Sequence, residues 1–327
     1  MLRPGRDARP TCKTDVKDAT WLADLLAHGL LRPSFVPAMP EQALRDLTRA
    51  RKQLTREKAS HVQRIDKTLQ AANIKLGSVL SNIMGQSGRI LLEALAAGER
   101  DPERLAGLVW TKIRASHAQG VEAVRGRLAA HQRLLLQLSL AQGDALDAAI
   151  AAIDREVGER LEPVQETVRR LITLPGLSPL SAAVVISEMG LDMSRFPSAA
   201  PLISWAGLCP KNDESAGKRR SHRLRPGAPW LKAVLVQSAW CAVRVKASYL
   251  HALFQRLKAR RGPRTAIGAV AAAMLTAISP MLKRGAAYRD LGPDHFQRTE
   301  RSRLAARLAR KLGELGFDVT LTQRAAT

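Results

Sequence analysis

The stretch L-D-A-A-I-A-A-I-D-R-E-V-G-E-R-L-E-P-V-Q-E-T-V-R-R-L, Leu146 to Leu171, decides the fold. Its apolar residues Leu146, Ile150, Ile153, Val157, Leu161, Val164, Val168 and Leu171 recur at three- and four-residue spacing, which gathers them on one side of an α-helix. Upstream, Val121, Val124, Leu128, Leu135 and Leu138 extend the pattern. Unbroken, the run would make about 75 Å of helix at 1.5 Å rise per residue. Gln142-Gly143-Asp144 offers the other reading, a break into two helices of an antiparallel hairpin. Either intramolecular helix packing or a subunit interface would bury such a stripe.

Toward the N-terminus, Leu44, Leu47 and Leu54 repeat at helical spacing. After a shift of phase Val62, Ile65, Leu69 and Leu76 continue the stripe, with Arg51 and Lys58 at seam positions between the runs. This predicts an amphipathic helix paired with another. Before it, R-P-S-F-V-P-A-M-P, ending at Pro40, reads as an extended connection. Toward the C-terminus, L-P-G-L-S-P-L-S-A-A-V-V-I-S-E-M-G, Leu174 to Gly190, resembles a helix-hairpin-helix. Ser178-Pro179 stands where such hairpins carry a second glycine, so its turn either offers amides to a phosphate or serves packing. Trp230 to Lys246 reads as a helix with Leu231, Val234, Leu235, Ser238 and Ala242 on one face. Another follows Arg264, with Ile267, Val270, Met274, Leu275 and Ile278 apolar, and Arg298 to Arg310 forms a basic, solvated helical tail.

Aromatic residues are only 4% of the chain, and strand-like alternation is scarce. The expected fold is mainly α. The expected domains are 1–40, a helical coiled-coil-like region 41–171, a serine-loop domain 172–290 and the basic tail 291–327.

Charge narrows the partners. The 327 residues carry 52 Lys and Arg against 29 Asp and Glu, a net +23, so the chain sets up a cationic field that attracts polyanions, nucleic acid first among them. No membrane span is expected, since none of the chain is read as an apolar run of about 18 residues free of charge. The N-terminus M-L-R-P-G-R-D-A-R-P lacks the apolar core of a signal peptide. A cytoplasmic, nucleoid-associated protein is expected. Cys12, Cys209 and Cys241 lack paired spacing, so neither a disulfide framework nor a zinc site is suggested.

The chemistry concentrates in N-D-E-S-A-G-K-R-R-S-H-R-L-R-P-G-A-P-W, Asn212 to Trp230. Ser215 stands beside Ala216-Gly217, with Lys218, Arg219, Arg220, Arg223 and Arg225 following. A phosphate among guanidinium groups has its charge screened and its phosphorus opened to attack by a hydroxyl. The same loop could equally do no more than bind backbone phosphate. Ser221, beside His222, is a rival nucleophile. In K-T-D-V-K-D-A, Asp15 and Asp18 lie three apart and share one face of a helical turn, where they could converge on a divalent cation or form an exposed charged face.

Together these motifs resemble the bacterial insertion-sequence transposases of the IS110 type, the DEDD transposases or bridge-RNA-guided serine recombinases. K-T-D-V-K-D-A-T-W-L-A-D-L-L-A-H-G-L-L-R-P-S-F-V-P looks like the end of that family's RuvC-like α/β nuclease domain, and A-L-R-D-L-T-R-A-R like its following helix. D-M-S-R-F-P-S-A-A-P-L-I-S-W-A-G-L-C-P and N-D-E-S-A-G-K-R-R-S look like its C-terminal transposase domain. The resemblance implies that Asp15 and Asp18 match the third and fourth acidic residues, which bind magnesium, and that Ser215 matches the serine that becomes linked to a DNA phosphate. It further implies donor and target DNA, a structured guide RNA, and a homo-oligomer, dimer or tetramer.

Two departures stand out. The strands bearing the family's first Asp and its Glu have no counterpart before Asp15, so a remnant of the RuvC-like domain is expected, and this chain alone is expected not to carry out transposition. Arg225-Pro226-Gly227-Ala228-Pro229 replaces the usual Gly-Asn pair. The competing expectation is a non-enzymatic nucleic-acid-binding oligomer.

Overall fold

A computed structural model describes residues 15–31, 39–109, 115–211, 214–215, 218–219, 223–315 and 318, with backbone alone at 214–215, 218–219, 298–304 and 306. The chain forms two compact units, Met1–Pro37 and Ala38–Thr327. In the first, the described residues form one helix, α1 (Asp15–Ala27), with Asp15 and Asp18 in its first turn. Among them there is no strand of a RuvC-like sheet.

The second unit is built on two long helices, α2 (Met39–Ala71) and α6 (Ala130–Leu161). Arg51 pairs with Asp154 and Lys58 with Asp147, so the helices run antiparallel. The seam cations are thus matched by carboxylates on the facing helix. The hairpin expected from Gln142-Gly143-Asp144 is made otherwise: α6 passes through Gly143 unbroken, and its partner is α2 rather than a second half of itself.

The 75 Å run is also shortened. Val121 lies in the brief α5 (His117–Ala123), Val124 caps it, and Leu128 precedes α6, which at 32 residues is about 48 Å long. Likewise the N-terminal stripe ends before Leu76. Asn73 takes a left-handed conformation, φ 59°, and the Ile74 amide turns back to the Leu69 carbonyl at 2.9 Å. This closes the helix as asparagine can. Leu76 begins a 3-10 turn and is fully buried there.

Two cores sit at the ends of the α2–α6 pair. At one end, Ile65 and Leu69 of α2 and Leu136 and Leu140 of α6 pack with Ile74, Leu76 and the buried faces of α3 (Gln86–Ala97) and α4 (Pro102–Gly107). Short helices survive here because caps satisfy their free amides. Asp101 accepts from the Glu103 amide, and Ser116 with Gln119 closes a capping box on α5.

At the other end α7 (Gln165–Leu171), α8 (Pro179–Met189), α9 (Ala199–Trp205), α10 (Pro229–Ala242) and α11 (Tyr249–Arg261) gather with α12 (Pro263–Arg284). A further helix, α13 (His295–Glu314), carries the basic tail and begins three residues before Arg298. The sequence gives no expectation of α11, which packs along α12.

Residues 265–282 correct the expectation that no uncharged apolar run exists. They contain no charged residue, and α12 is long and apolar enough to cross a membrane by length and composition. In the fold it is the core helix of this end: Ile267, Val270, Met274, Leu275 and Ile278 are all buried, as their spacing predicts.

The Leu174–Gly190 segment forms the turn that follows α7 and then α8. Gly176 has φ +86°, and a methyl group there would lie 2.2 Å from the Ser238 carbonyl oxygen. The turn therefore presses on the backbone of α10, which favours the packing reading of this motif over phosphate binding.

Candidate nucleic-acid interface and serine hairpin

Chain leaving α9 forms one side of an antiparallel ribbon and returns to α10 along the other. At the base, Pro210 pairs with Leu224, the Lys211 amide donates to the Arg223 carbonyl at 2.9 Å, and the Arg225 amide to the Cys209 carbonyl at 3.0 Å. Farther out, β1 (Glu214–Ser215) pairs with β2 (Lys218–Arg219) in the register Glu214 to Arg219 and Ser215 to Lys218. Ala216 and Gly217, between the two strands in sequence, lie outside the described residues. Ser215 is the last residue of β1.

The ribbon is pinned at its root. Gly207, φ +70°, meets Gly227 so closely that a methyl group on Gly227 would lie 2.4 Å from the Gly207 nitrogen. Only glycine fits both sides of that crossing. The segment Arg225 to Pro229 supplies this contact. Arg225 donates from Nη1 to Ser204 Oγ at 3.2 Å, and its carbonyl accepts from Lys232 Nζ at 3.0 Å. Leu224 rests on α12, where a methyl group at Gly268 would be 3.3 Å from its Cδ1.

The expected site residues therefore divide. Ser215, Lys218 and Arg219 come together on the hairpin ladder, and Arg223 is exposed at its base. Arg225 is exposed and uses one of its donors on Ser204, which helps to fasten the ribbon. Arg220, Ser221 and His222 lie outside the described residues, as does Cys12. Of the other cysteines, Cys209 is half-buried, with Sγ 3.8 Å from Ser204 Oγ. Cys241 is exposed on α10, so it has no core role. Asp15 is exposed and Asp18 half-buried on α1, in the other compact unit. Among the described residues no group of three or more His, Cys, Asp or Glu is placed to hold a metal ion.

Beside the ribbon lies a set of residues the sequence reading missed. Trp230, in the first turn of α10, has the Arg49 guanidinium carbon 5.6 Å and the Arg56 guanidinium carbon 5.4 Å from its ring centroid. Arg49 also makes two hydrogen bonds to the carboxylate of Glu188, whose side chain is only 2% exposed. Arg45 donates to the Glu188 carbonyl at 2.8 Å, so α2 is bolted to the end of α8. Burial lowers the pKa of Arg45, with Glu188 opposing that shift. Arg49, Lys52 and Arg56 lie at i, i+3 and i+7, a cationic face legible in principle beside the apolar one.

Comparison with known proteins matches two parts of the chain. Residues 3–74 match the DEDD transposase model of the IS110 group, described as a transposase, and residues 168–255 match the model described as transposase IS116/IS110/IS902 family. Among curated relatives, "Putative transposase y4rJ" of Sinorhizobium fredii is 28% identical over 248 residues, 74% of this chain and 58% of its own length. "Putative transposase y4pF/y4sB" of the same organism is 24% identical over 284 residues, 85% of this chain and 64% of its own length. "Mini-circle putative transposase for IS117" of Streptomyces coelicolor is 28% identical over 234 residues, 68% of this chain and 52% of its own length. The chain thus spans between half and two thirds of the length of these relatives.

Proposed function

Because the chain belongs to the IS110 family of transposases, we propose that it acts in DNA transposition, with Ser215 as the nucleophile that joins protein to a DNA phosphate. The observation that supports this most is the strand register, which sets Ser215 opposite Lys218 on a ribbon fastened to α9, α10 and α12. A nucleophile gains most from a frame that does not have to be ordered during the reaction. Cationic neighbours add stabilisation as charge builds on the phosphoryl oxygens.

In the proposed step the Ser215 oxygen forms a bond to phosphorus and loses its proton. One P–O bond of the phosphodiester breaks, and the leaving sugar hydroxyl takes up a proton. The new phosphoserine ester keeps the bond energy for rejoining. Asp15 and Asp18 are the residues that would hold magnesium, which when bound supplies charge stabilisation at the phosphate. Two carboxylates match what magnesium takes from a protein when phosphate and water complete its shell. Lys218, Arg219, Arg220 and Arg223 serve the DNA backbone. Donor and target DNA, a structured guide RNA and a homo-oligomer complete the proposal, supported by the family and by the net charge of +23.

The test is covalent trapping. Labelled donor DNA incubated with the chain, magnesium and guide RNA should yield a denaturant-resistant protein–DNA adduct that Ser215→Ala abolishes without loss of DNA binding. An adduct that survives in Ser215→Ala would move the nucleophile elsewhere. Binding with no adduct under any condition would leave a non-enzymatic nucleic-acid binder.

A further inference from the structure

Between α2, α8 and α10, immediately beside the root of the serine ribbon, lies a cavity of about 440 Å³. Its walls differ sharply in chemistry. Leu180 and Val184 of α8 with Val234 and the Trp230 ring of α10 make an apolar side. On the opposite side α2 presents Arg49, Lys52 and Arg56. Thr48, buried, and Gln237, exposed, add hydrogen-bonding groups at the margins.

The cations are not equivalent. Arg49 is held by Glu188 through two hydrogen bonds, so its charge is already matched. Arg51, also at the cavity, is paired with Asp154. Arg56 has no acidic partner among the described residues; its guanidinium rests on the Trp230 ring. Lys52 has none either. A guanidinium lying on an indole occupies the surface on which a nucleobase stacks, and an exposed arginine leaves such a surface at small cost. The cavity therefore joins a flat aromatic wall, an apolar slot and two cations without counter-charge, in a volume suited to a small organic group.

We propose that this cavity receives one unpaired nucleotide of a nucleic-acid strand, its base against Trp230 and the Leu180–Val184 wall and its phosphate between Lys52 and Arg56. The proposal rests on the chain being a nucleic-acid enzyme but does not depend on Ser215 as nucleophile. Trp230 follows the ribbon directly in sequence, with Lys232 of the same helix holding the ribbon's Arg225 carbonyl. A nucleotide seated here anchors the strand within one helical turn of the fastening of the hairpin.

The experiment is strand binding with and without a base, which contains no cleavage step and so stands apart from adduct trapping. Fluorescence anisotropy of the full chain is measured with a labelled 12-mer, as DNA and as RNA, each intact and with abasic positions, and with the duplex. The intact single strand should bind about tenfold or more tightly than its abasic form, the scale of one stacked base. Trp230→Leu should remove that ratio, Trp230→Tyr should keep it, and duplex affinity should move little in either. Arg56→Gln should weaken intact and abasic strands alike.

A ratio near one for the unaltered chain, or a ratio indifferent to Trp230→Leu, overturns the proposal. Where Trp230→Leu fails to fold, Leu180→Trp, which enlarges an exposed wall residue into the slot, has to remove the ratio instead. Adenosine monophosphate should displace the strand only at millimolar concentration. Displacement at micromolar concentration would assign the cavity to a free nucleotide and overturn the strand assignment.

Discussion

Arg49 and Glu188 hold one another through two hydrogen bonds, 2.8 Å from Nε to Oε1 and 2.9 Å from Nη2 to Oε2. They bring α2 against the end of α8. The carboxylate is almost wholly buried, so it is tolerable only while its guanidinium partners are present. Arg45 and Thr48 join the same contact, Thr48 through the Ser187 hydroxyl at 3.2 Å. The pair also fixes one of the two arginines that touch Trp230.

Removing one member should therefore cost far more than removing both. Arg49→Ala is expected to lower unfolding stability by less than the roughly 3–5 kcal/mol of a fully stranded buried charge, because the Arg45 guanidinium stays 3.5 Å from the Glu188 carboxylate. Replacing both Arg49 and Glu188 by hydrophobic residues of similar volume should recover much of it. Urea denaturation of the single and double variants checks this; additive losses would contradict it.

The crossing of Gly207 and Gly227 predicts a local failure at the hairpin. A methyl group on Gly227 would be 2.4 Å from the Gly207 nitrogen, with backbone atoms rather than a flexible side chain in the way. Gly227→Ala should cost about 1–3 kcal/mol, as overpacking does. It should also expose the chain between Lys211 and Leu224 to protease, and limited proteolysis followed by mass mapping reads this directly.

Gly176→Ala should be similarly costly for a different element. Its φ of +86° disfavours a side chain, and the new methyl would strike the Ser238 carbonyl of α10 at 2.2 Å. A loss of about 2 kcal/mol or more in thermal or urea melts is expected. A loss of nucleic-acid affinity with unchanged stability would instead favour the phosphate-binding reading of this turn.

Acid should loosen the contact between α3 and α6 selectively. Arg89 donates to both carboxylate oxygens of Asp144, 2.6 and 2.7 Å, which holds the Asp144 pKa below its ordinary value. A depressed carboxylate stabilises the fold above the unfolded-state pKa and loses that contribution as pH falls through the folded-state value. Both groups are partly exposed, so the contribution is below about 1 kcal/mol. Asp144→Asn should be slightly less stable than the unaltered chain at neutral pH. The two should converge as pH drops below the normal carboxylate range. A difference that persists in strong acid would contradict this.

Helical periodicity made much of the fold legible. The stripes on α2, α6, α10 and α12 are written in three- and four-residue spacing, and most of their predicted apolar residues are buried or half-buried. Arg51 and Lys58 were legible as seam positions, while their partners Asp154 and Asp147 were not, because a pairing across about a hundred residues depends on which helix folds back on which. For the same reason Gly143 suggested a break. Glycine weakens an isolated helix by roughly 1 kcal/mol, but packing against α2 and α3 overrides it here. The α11 helix escaped notice because its polar and apolar residues are poorly segregated, and only α12 tells it which face to bury.

What the sequence by itself determined was the helical class, the cationic character and the serine embedded among arginines and lysines, since these are properties of composition and local order. Tertiary structure decided what those residues do. It set Ser215 opposite Lys218, tied Arg225 to Ser204 at the root of the ribbon, and gave Gly176, Gly207 and Gly227 to close packing. It also gathered Arg49, Lys52 and Arg56 of one helix with Trp230 of another around a single cavity. A cavity between helices is a relation among distant segments, and no local pattern encodes it.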